Sequence, residues 1–125
     1  MKIVETENAT TPAGHYAQAV VHRGVIHISG QLGRLPGMDD AEAGDIERQT
    51  SRCLDNIKAI LEAAGSSMDN LLKVSVYISD IALWPDVNTV YARYLGDHKP
   101  ARVVVPVPNL HYNALIEIEA MGAVP

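Results

Sequence analysis

The 125-residue chain is long enough for one domain with a modest core, taken as residues 1–125. Ten Lys and Arg against fifteen Asp and Glu give a net charge of −5 with no basic cluster, which argues against tracking a nucleic-acid backbone. One cysteine, Cys53, excludes an intrachain disulfide framework, and the lack of Phe with a single Trp makes the expected core aliphatic. No apolar stretch follows Lys2 as in a signal peptide, and none elsewhere reaches membrane-spanning length, so a cytoplasmic protein that engages no membrane is expected.

From Ala19 to Gly30 two β-prone runs meet at Arg23-Gly24, where glycine can take the positive φ of a tight turn, and the segment reads as a hairpin. Gly33, Pro36, Gly37, Asp39, Asp40 and Gly44 make a loop of the stretch between Leu32 and Gly44. Ile46, Thr50, Cys53, Leu54, Ile57, Ile60, Leu61 and Ala64 then recur at steps of three and four, predicting a helix capped by Asp45 and stopped at Gly65. Val74, Val76 and Ile78 alternate with Ser75, Tyr77 and Ser79 as a strand with one apolar and one mixed face.

A second helix is predicted from Trp84-Pro85 through Val87, Val90, Tyr91 and Leu95 to Gly96. Two strands close the chain, around Arg102–Val107 and Leu115–Met121, with Pro106 and Pro108 limiting how centrally the first can lie. The pattern is that of an α+β domain with about six strands in a mixed sheet and two helices on one face. Val103 to Val107 is apolar on both alternating faces, so the uncovered sheet face is expected to meet another copy of the chain.

Charge inside the last two strands is the feature that bears on chemistry, because a buried charge is costly without a partner or a task. Arg102 heads the run Arg102-Val103-Val104-Val105-Pro106, and Glu117 and Glu119 alternate with Ile116 and Ile118. Residues two apart share a strand face, so both carboxylates point one way; periodicity alone leaves open whether that face is simply solvated. The five histidines have no metal-ligand spacing and the lone cysteine no thiolate partner, so no metal site is expected. Cys53 lies on the apolar helical stripe and reads as a small core residue rather than a nucleophile. No phosphate-binding glycine loop and no Gly-x-Ser-x-Gly elbow is present.

Taken in order, several short motifs resemble one family. Pro12-Ala13-Gly14-His15-Tyr16-Ala17-Gln18-Ala19 is similar to its Gly-Pro-Tyr-Ser-Gln-Ala stretch, and Ile28-Ser29-Gly30-Gln31 to its Ser-Gly-Gln. Leu54 to Gly65 and Val87-Asn88-Thr89-Val90-Tyr91 resemble its two helices, and Pro100-Ala101-Arg102 with Ile116-Glu117-Ile118-Glu119-Ala120 its closing signature. The chain resembles, over nearly its whole length, the RidA (YjgF) family of reactive intermediate and imine deaminases.

The resemblance implies a chorismate-mutase-like α+β fold, a homotrimer packed through its sheets, and small-molecule clefts between subunits. It implies hydrolysis of 2-aminoacrylate or 2-aminocrotonate, through their imine tautomers, to a 2-keto acid and ammonia, without metal or organic cofactor. On that pattern Arg102 clamps the substrate carboxylate and Glu119 positions or activates water; Tyr16, Ser29, Gly30, Asn88 and the Val104 backbone amide line the cleft, and Glu117 is structural. Substrates of this kind are released by pyridoxal-phosphate dehydratases. Val104 stands where many deaminating members have cysteine, His15 replaces a proline, and Leu32 to Met38 and Leu110 to Ala114 depart from the common loops. The other readings are a non-catalytic trimeric module that binds a 2-keto acid or acts as a chaperone, and a deaminase of a larger substrate such as 2-aminomuconate. Ribonuclease activity is least favoured by the acidic balance.

Overall fold

The computed structural model describes residues 1–34, 38 and 44–125. A three-residue strand not separated in the sequence reading, β1 (Lys2–Val4), pairs antiparallel with β2 (Ala19–His22). Arg23 and Gly24 have φ of 50° and 76°, the two left-handed residues a tight two-residue turn needs, and they carry β2 into its hairpin partner β3 (Val25–Leu32).

Helix α1 (Ile46–Ala63) starts where Asp45 accepts the Arg48 amide at 2.9 Å, and the chain leaves it through Gly65 at φ 81°. Cys53, Leu54, Ile57, Ile60 and Leu61 form its fully buried stripe. Strand β4 (Leu71–Ile78) buries Val74, Val76 and Ile78, as the alternation predicts. Helix α2 (Trp84–Leu95) carries Pro85 in its first turn, where a missing N–H costs nothing, and ends at Gly96. Strands β5 (Ala101–Pro106) and β6 (Ile116–Ala123) complete the chain.

The six strands lie in the order β1-β2-β3-β6-β4-β5, with only β4 and β5 parallel neighbours. Strand β6 runs antiparallel to both β3 and β4, so those two are parallel to each other. The units β3–α1–β4 and β4–α2–β5 therefore advance across the sheet in the same direction, and crossovers of one hand place both helices on one face. Between helices and sheet lies an aliphatic core of Ile26, Ile28, Val74, Val76, Ile78, Ile116 and Ile118. The opposite face carries His27, Ser75, Tyr77, Glu117 and Glu119, and at its β5 end Val103 and Val105 are 43% and 37% exposed.

Polar side chains outside the apolar stripe tie the loops to this frame. Asn56, buried on α1, donates to the carbonyls of Leu32 (3.2 Å) and Arg34 (2.9 Å). Buried Gln49 donates to Gly44 O and accepts the Leu115 amide, joining both ends of the site region to one helix. Each buried acceptor left without its donor costs about 1–3 kcal/mol. Asn56→Leu is thus expected to lower unfolding free energy by about 3 kcal/mol, read from the urea midpoint at unchanged m-value. A loss under about 1 kcal/mol would show that the two carbonyls find other donors.

Candidate active site

The site is built around an irregularity in β3. Ile28 stands opposite Ala120 and Gln31 opposite Ile118, so Ser29 and Gly30 together face Glu119 across β6 as a bulge. Off the regular ladder, Ser29 is held by other means: its amide donates to Gln18 O (2.9 Å) and its hydroxyl to Ala17 O (2.6 Å), while its carbonyl accepts from the Gln31 side chain (2.9 Å). A Cβ at Gly30 would lie 3.0 Å from Cδ and Oε1 of Glu117, so the glycine leaves room for that carboxyl to rest on the strand.

A cavity of about 600 Å³ opens here, bringing together the predicted residues Tyr16, Ser29 and Gly30 with Glu117, Arg34 and Tyr112. Tyr16 is half exposed at the cavity, and its hydroxyl accepts the Ala13 amide across a tight turn. The Arg34 guanidinium lies 4.3 Å from the Tyr112 ring centroid and donates to Met38 O. Tyr112 and Asn113 both adopt left-handed backbone, φ 60° and 56°, a conformation costing a non-glycine residue roughly 1 kcal/mol, and this turn presents the His111 and Tyr112 rings to the cavity. The divergence from the family pattern at Leu35–Gly37 lies outside the described residues.

Glu117, structural in the sequence reading, is the carboxyl that lines this cavity. It is half buried; desolvation raises its pKa, the nearby Glu119 charge adds to the rise, and His111 opposes it. Glu119 lines a neighbouring cavity of about 260 Å³ with His27, Lys73 and Ser75. There it accepts a 3.0 Å hydrogen bond from the Tyr77 hydroxyl, whose own pKa is raised chiefly by that bond.

Arg102 and Asn88 meet elsewhere. Arg102 pairs in register with Val74, so its side chain joins the helix-covered face, where Nη1 donates to Asn88 Oδ1 at 3.0 Å. Its guanidinium lies 4.7 Å from the Tyr91 ring centroid and 5.6 Å from that of Trp84. Val104 follows on the same face, half-buried against the core. Strand β5 stands three ladder spacings, about 14 Å, from β3, so one chain does not gather the predicted residues into one pocket. Trp84 and Tyr91 escape the sequence reading as site residues, although positions 84, 88 and 91 fall on one helical face and would flank Asn88.

The Cys53 thiol is fully buried against Gln31 O, and desolvation pushes its pKa well up, so it stays protonated in the core. Among the described residues no three His, Cys, Asp or Glu side chains gather as a metal site, and no helix is long and apolar enough to cross a membrane.

A family model described as Endoribonuclease L-PSP matches residues 6–124. The chain belongs to the RidA (YjgF) family. It is 46% identical to a RutC family protein of Pyrococcus horikoshii, over 97% of this chain and 96% of that one. It is 38% identical to the 2-iminobutanoate/2-iminopropanoate deaminase of Bos taurus, over 97% of this chain and 88% of the bovine protein. The crystal structure of a putative endoribonuclease from Thermotoga maritima superposes with a TM-score of 0.93 at 43% identity, covering 98% of this chain and 97% of that one. RidA-family relatives thus carry both deaminase and endoribonuclease names, and the choice between them has to come from the site.

Proposed function

We propose that this protein is an enamine/imine deaminase that hydrolyses small 2-imino acids of the 2-aminoacrylate and 2-aminocrotonate type to 2-keto acids and ammonia. One observation carries the reading: the Arg102 guanidinium is oriented by Asn88 and two aromatic rings, and no carboxylate among the described residues pairs with it. A guanidinium held this way keeps its charge at any working pH and presents a fork that fits a planar carboxylate through two parallel hydrogen bonds.

Arg102, Asn88 and the Val104 amide hold the carboxylate end, Tyr16, Ser29 and Gly30 line the cleft, and Glu119 positions water on the imine carbon. Because Arg102 and the cavity lie apart in one chain, we place the complete cleft between copies of a homotrimer. The exposed Val103 and Val105 on the uncovered face support that packing. Imines already react with water, so orientation and proton transfer suffice, contributing several kcal/mol each. A net charge of −5 without a basic cluster speaks against the ribonuclease reading. A cytoplasmic site of action fits dehydratases as the source of substrate.

The test couples purified protein to a pyridoxal-phosphate dehydratase acting on threonine or serine and follows imine loss spectroscopically. Acceleration over buffer is expected. No acceleration overturns the reading, and binding of 2-ketobutyrate without turnover of any imine would assign a binding module instead.

A further inference from the structure

Resting on the deaminase reading above, we propose that the His111–Tyr112 turn sets the specificity of the larger cavity. It forms a two-ring wall that favours 2-imino acids with a flat aromatic side chain over the short aliphatic ones. A four-carbon 2-imino acid has about seven non-hydrogen atoms, whereas a cavity of about 600 Å³ lies within the roughly 300–1,000 Å³ that holds drug-sized ligands. A short substrate would leave most of that space to water.

The turn is strained in a way that serves the cavity. Tyr112 and Asn113 hold left-handed backbone at φ 60° and 56°, where glycine is the usual residue. Strain of this kind persists where the surroundings over-determine it, as at ligand clamps. Tyr112 stays 39% exposed, so the turn does not serve to bury its ring. What the turn achieves is placement: the His111 and Tyr112 rings both line the cavity, with centroids 3.8 Å apart and planes tilted by 41°.

The wall is braced from two sides by one helix. The Arg34 guanidinium lies 4.3 Å from the Tyr112 centroid, and the Arg34 carbonyl accepts hydrogen bonds from the Thr10 hydroxyl (2.7 Å) and from buried Asn56 (2.9 Å). Just after the turn, the Leu115 amide donates to buried Gln49 at 2.9 Å. Asn56 and Gln49 both belong to α1, so the rings are pre-organised before a ligand arrives. Arg34 and Tyr112 also come from the two stretches, Leu32 to Met38 and Leu110 to Ala114, that depart from the common loops of the family. Two separate departures touch each other in one cavity, which locates there a property particular to this chain.

The chemistry of the lining selects the class of side chain. Leu32 and Met38 are the only large non-aromatic apolar side chains among the described lining residues, so a long aliphatic chain would meet mostly polar groups. A second carboxylate would face the half-buried Glu117 carboxyl, and the Arg34 guanidinium is already engaged by the Tyr112 ring and Met38 O. An aromatic ring instead gains edge-to-face or offset contact with Tyr112 and His111 and needs no polar partner. Contact with two such rings is worth about tenfold to thirtyfold.

The test compares kcat/KM for 2-imino-3-phenylpropanoate and 2-iminobutanoate, each generated from its amino acid by an amino-acid oxidase, in wild type, Tyr112→Gly and Tyr112→Phe. Wild type is expected to favour the aromatic imine by at least about tenfold. Tyr112→Gly should lower kcat/KM for the aromatic imine about tenfold and leave that for 2-iminobutanoate within about twofold, while Tyr112→Phe keeps the wild-type ratio. A merely structural role would not move the ratio between two substrates. Because glycine suits the left-handed position, the thermal midpoint of Tyr112→Gly should stay within about 3 °C of wild type. The assignment is overturned by a wild type that turns over 2-iminobutanoate as well as the aromatic imine or better, by a preference for the imine of glutamate, or by equal losses on both substrates in Tyr112→Gly. A wild type that hydrolyses neither imine overturns the deaminase reading instead, which separates the two failures. If Tyr112→Gly does not fold, product analogues decide with wild type alone: phenylpyruvate should inhibit at least about tenfold more tightly than 2-ketobutyrate, and equal inhibition overturns the proposal.

Discussion

Arg102→Ala is expected to reduce kcat/KM for imine hydrolysis by about a thousandfold. A forked carboxylate contact contains two hydrogen bonds to charged groups at roughly 1.5–3 kcal/mol each, and about 4 kcal/mol in total is three decades of rate. The fold should survive, because Arg102 lies on an edge strand and gives up only one side-chain hydrogen bond and two ring contacts. Arg102→Lys should recover little: an ammonium is a point charge that cannot hold Asn88 and still present two parallel donors. Steady-state kinetics on enzymatically generated imine, with thermal melts as a control on folding, provide the check. An alanine variant within threefold of wild type would remove the carboxylate clamp from the mechanism.

The second large effect concerns stability. A Cβ at Gly33 would sit 2.5 Å from both Cα and O of Gln49, far inside the 3.5–4.0 Å of ordinary carbon contact. These are backbone atoms of α1, so relief requires moving the helix against the end of β3. The same movement would pull on the bonds from Gln49 to Gly44 and Leu115 and from Asn56 to Leu32 and Arg34. Gly33→Ala is therefore expected to cost about 3 kcal/mol, or a fall of about 10 °C in midpoint. A change under about 1 kcal/mol would mean that β3 and α1 can separate at this point without loss of packing.

What the sequence makes legible follows from how local each signal is. Asp45, Gly65, Pro85 and Gly96 act within one turn of helix, so both helices could be placed closely from the sequence. Arg23-Gly24 fixes its hairpin in the same way. Strand β1 could not be separated, because three residues are too few for a period and its pairing with β2 is fifteen to nineteen residues distant. Arg102 and the glutamates stand out as charges among isoleucines and valines, yet neither the face each side chain takes nor its neighbours can be read from alternation. The bulge at Ser29-Gly30 is the reason for part of this: it shifts the register of β3 against β6 and lets Glu117 reach a position that regular pairing would not indicate. The roles of Gln49 and Asn56 are equally hidden, since a polar residue on a helix reads as solvent-facing until the loops it holds are in place.

The two halves of the site rest on different kinds of scaffold. Arg102 is fixed by a strand and a helix, with Asn88, Tyr91 and Trp84 all on α2, so the carboxylate end has little freedom to drift. The larger cavity is bordered by the chain before β2 and by the His111–Asn113 turn, and the exposed parts of such connecting segments tolerate changes of composition better than strands and helices do. On the proposed deaminase reading, recognition of a 2-imino acid headgroup is thereby uncoupled from accommodation of its side chain. Such an architecture is evolvable: descendants can exchange one side chain for another by altering turns alone, inheriting the headgroup contacts unchanged.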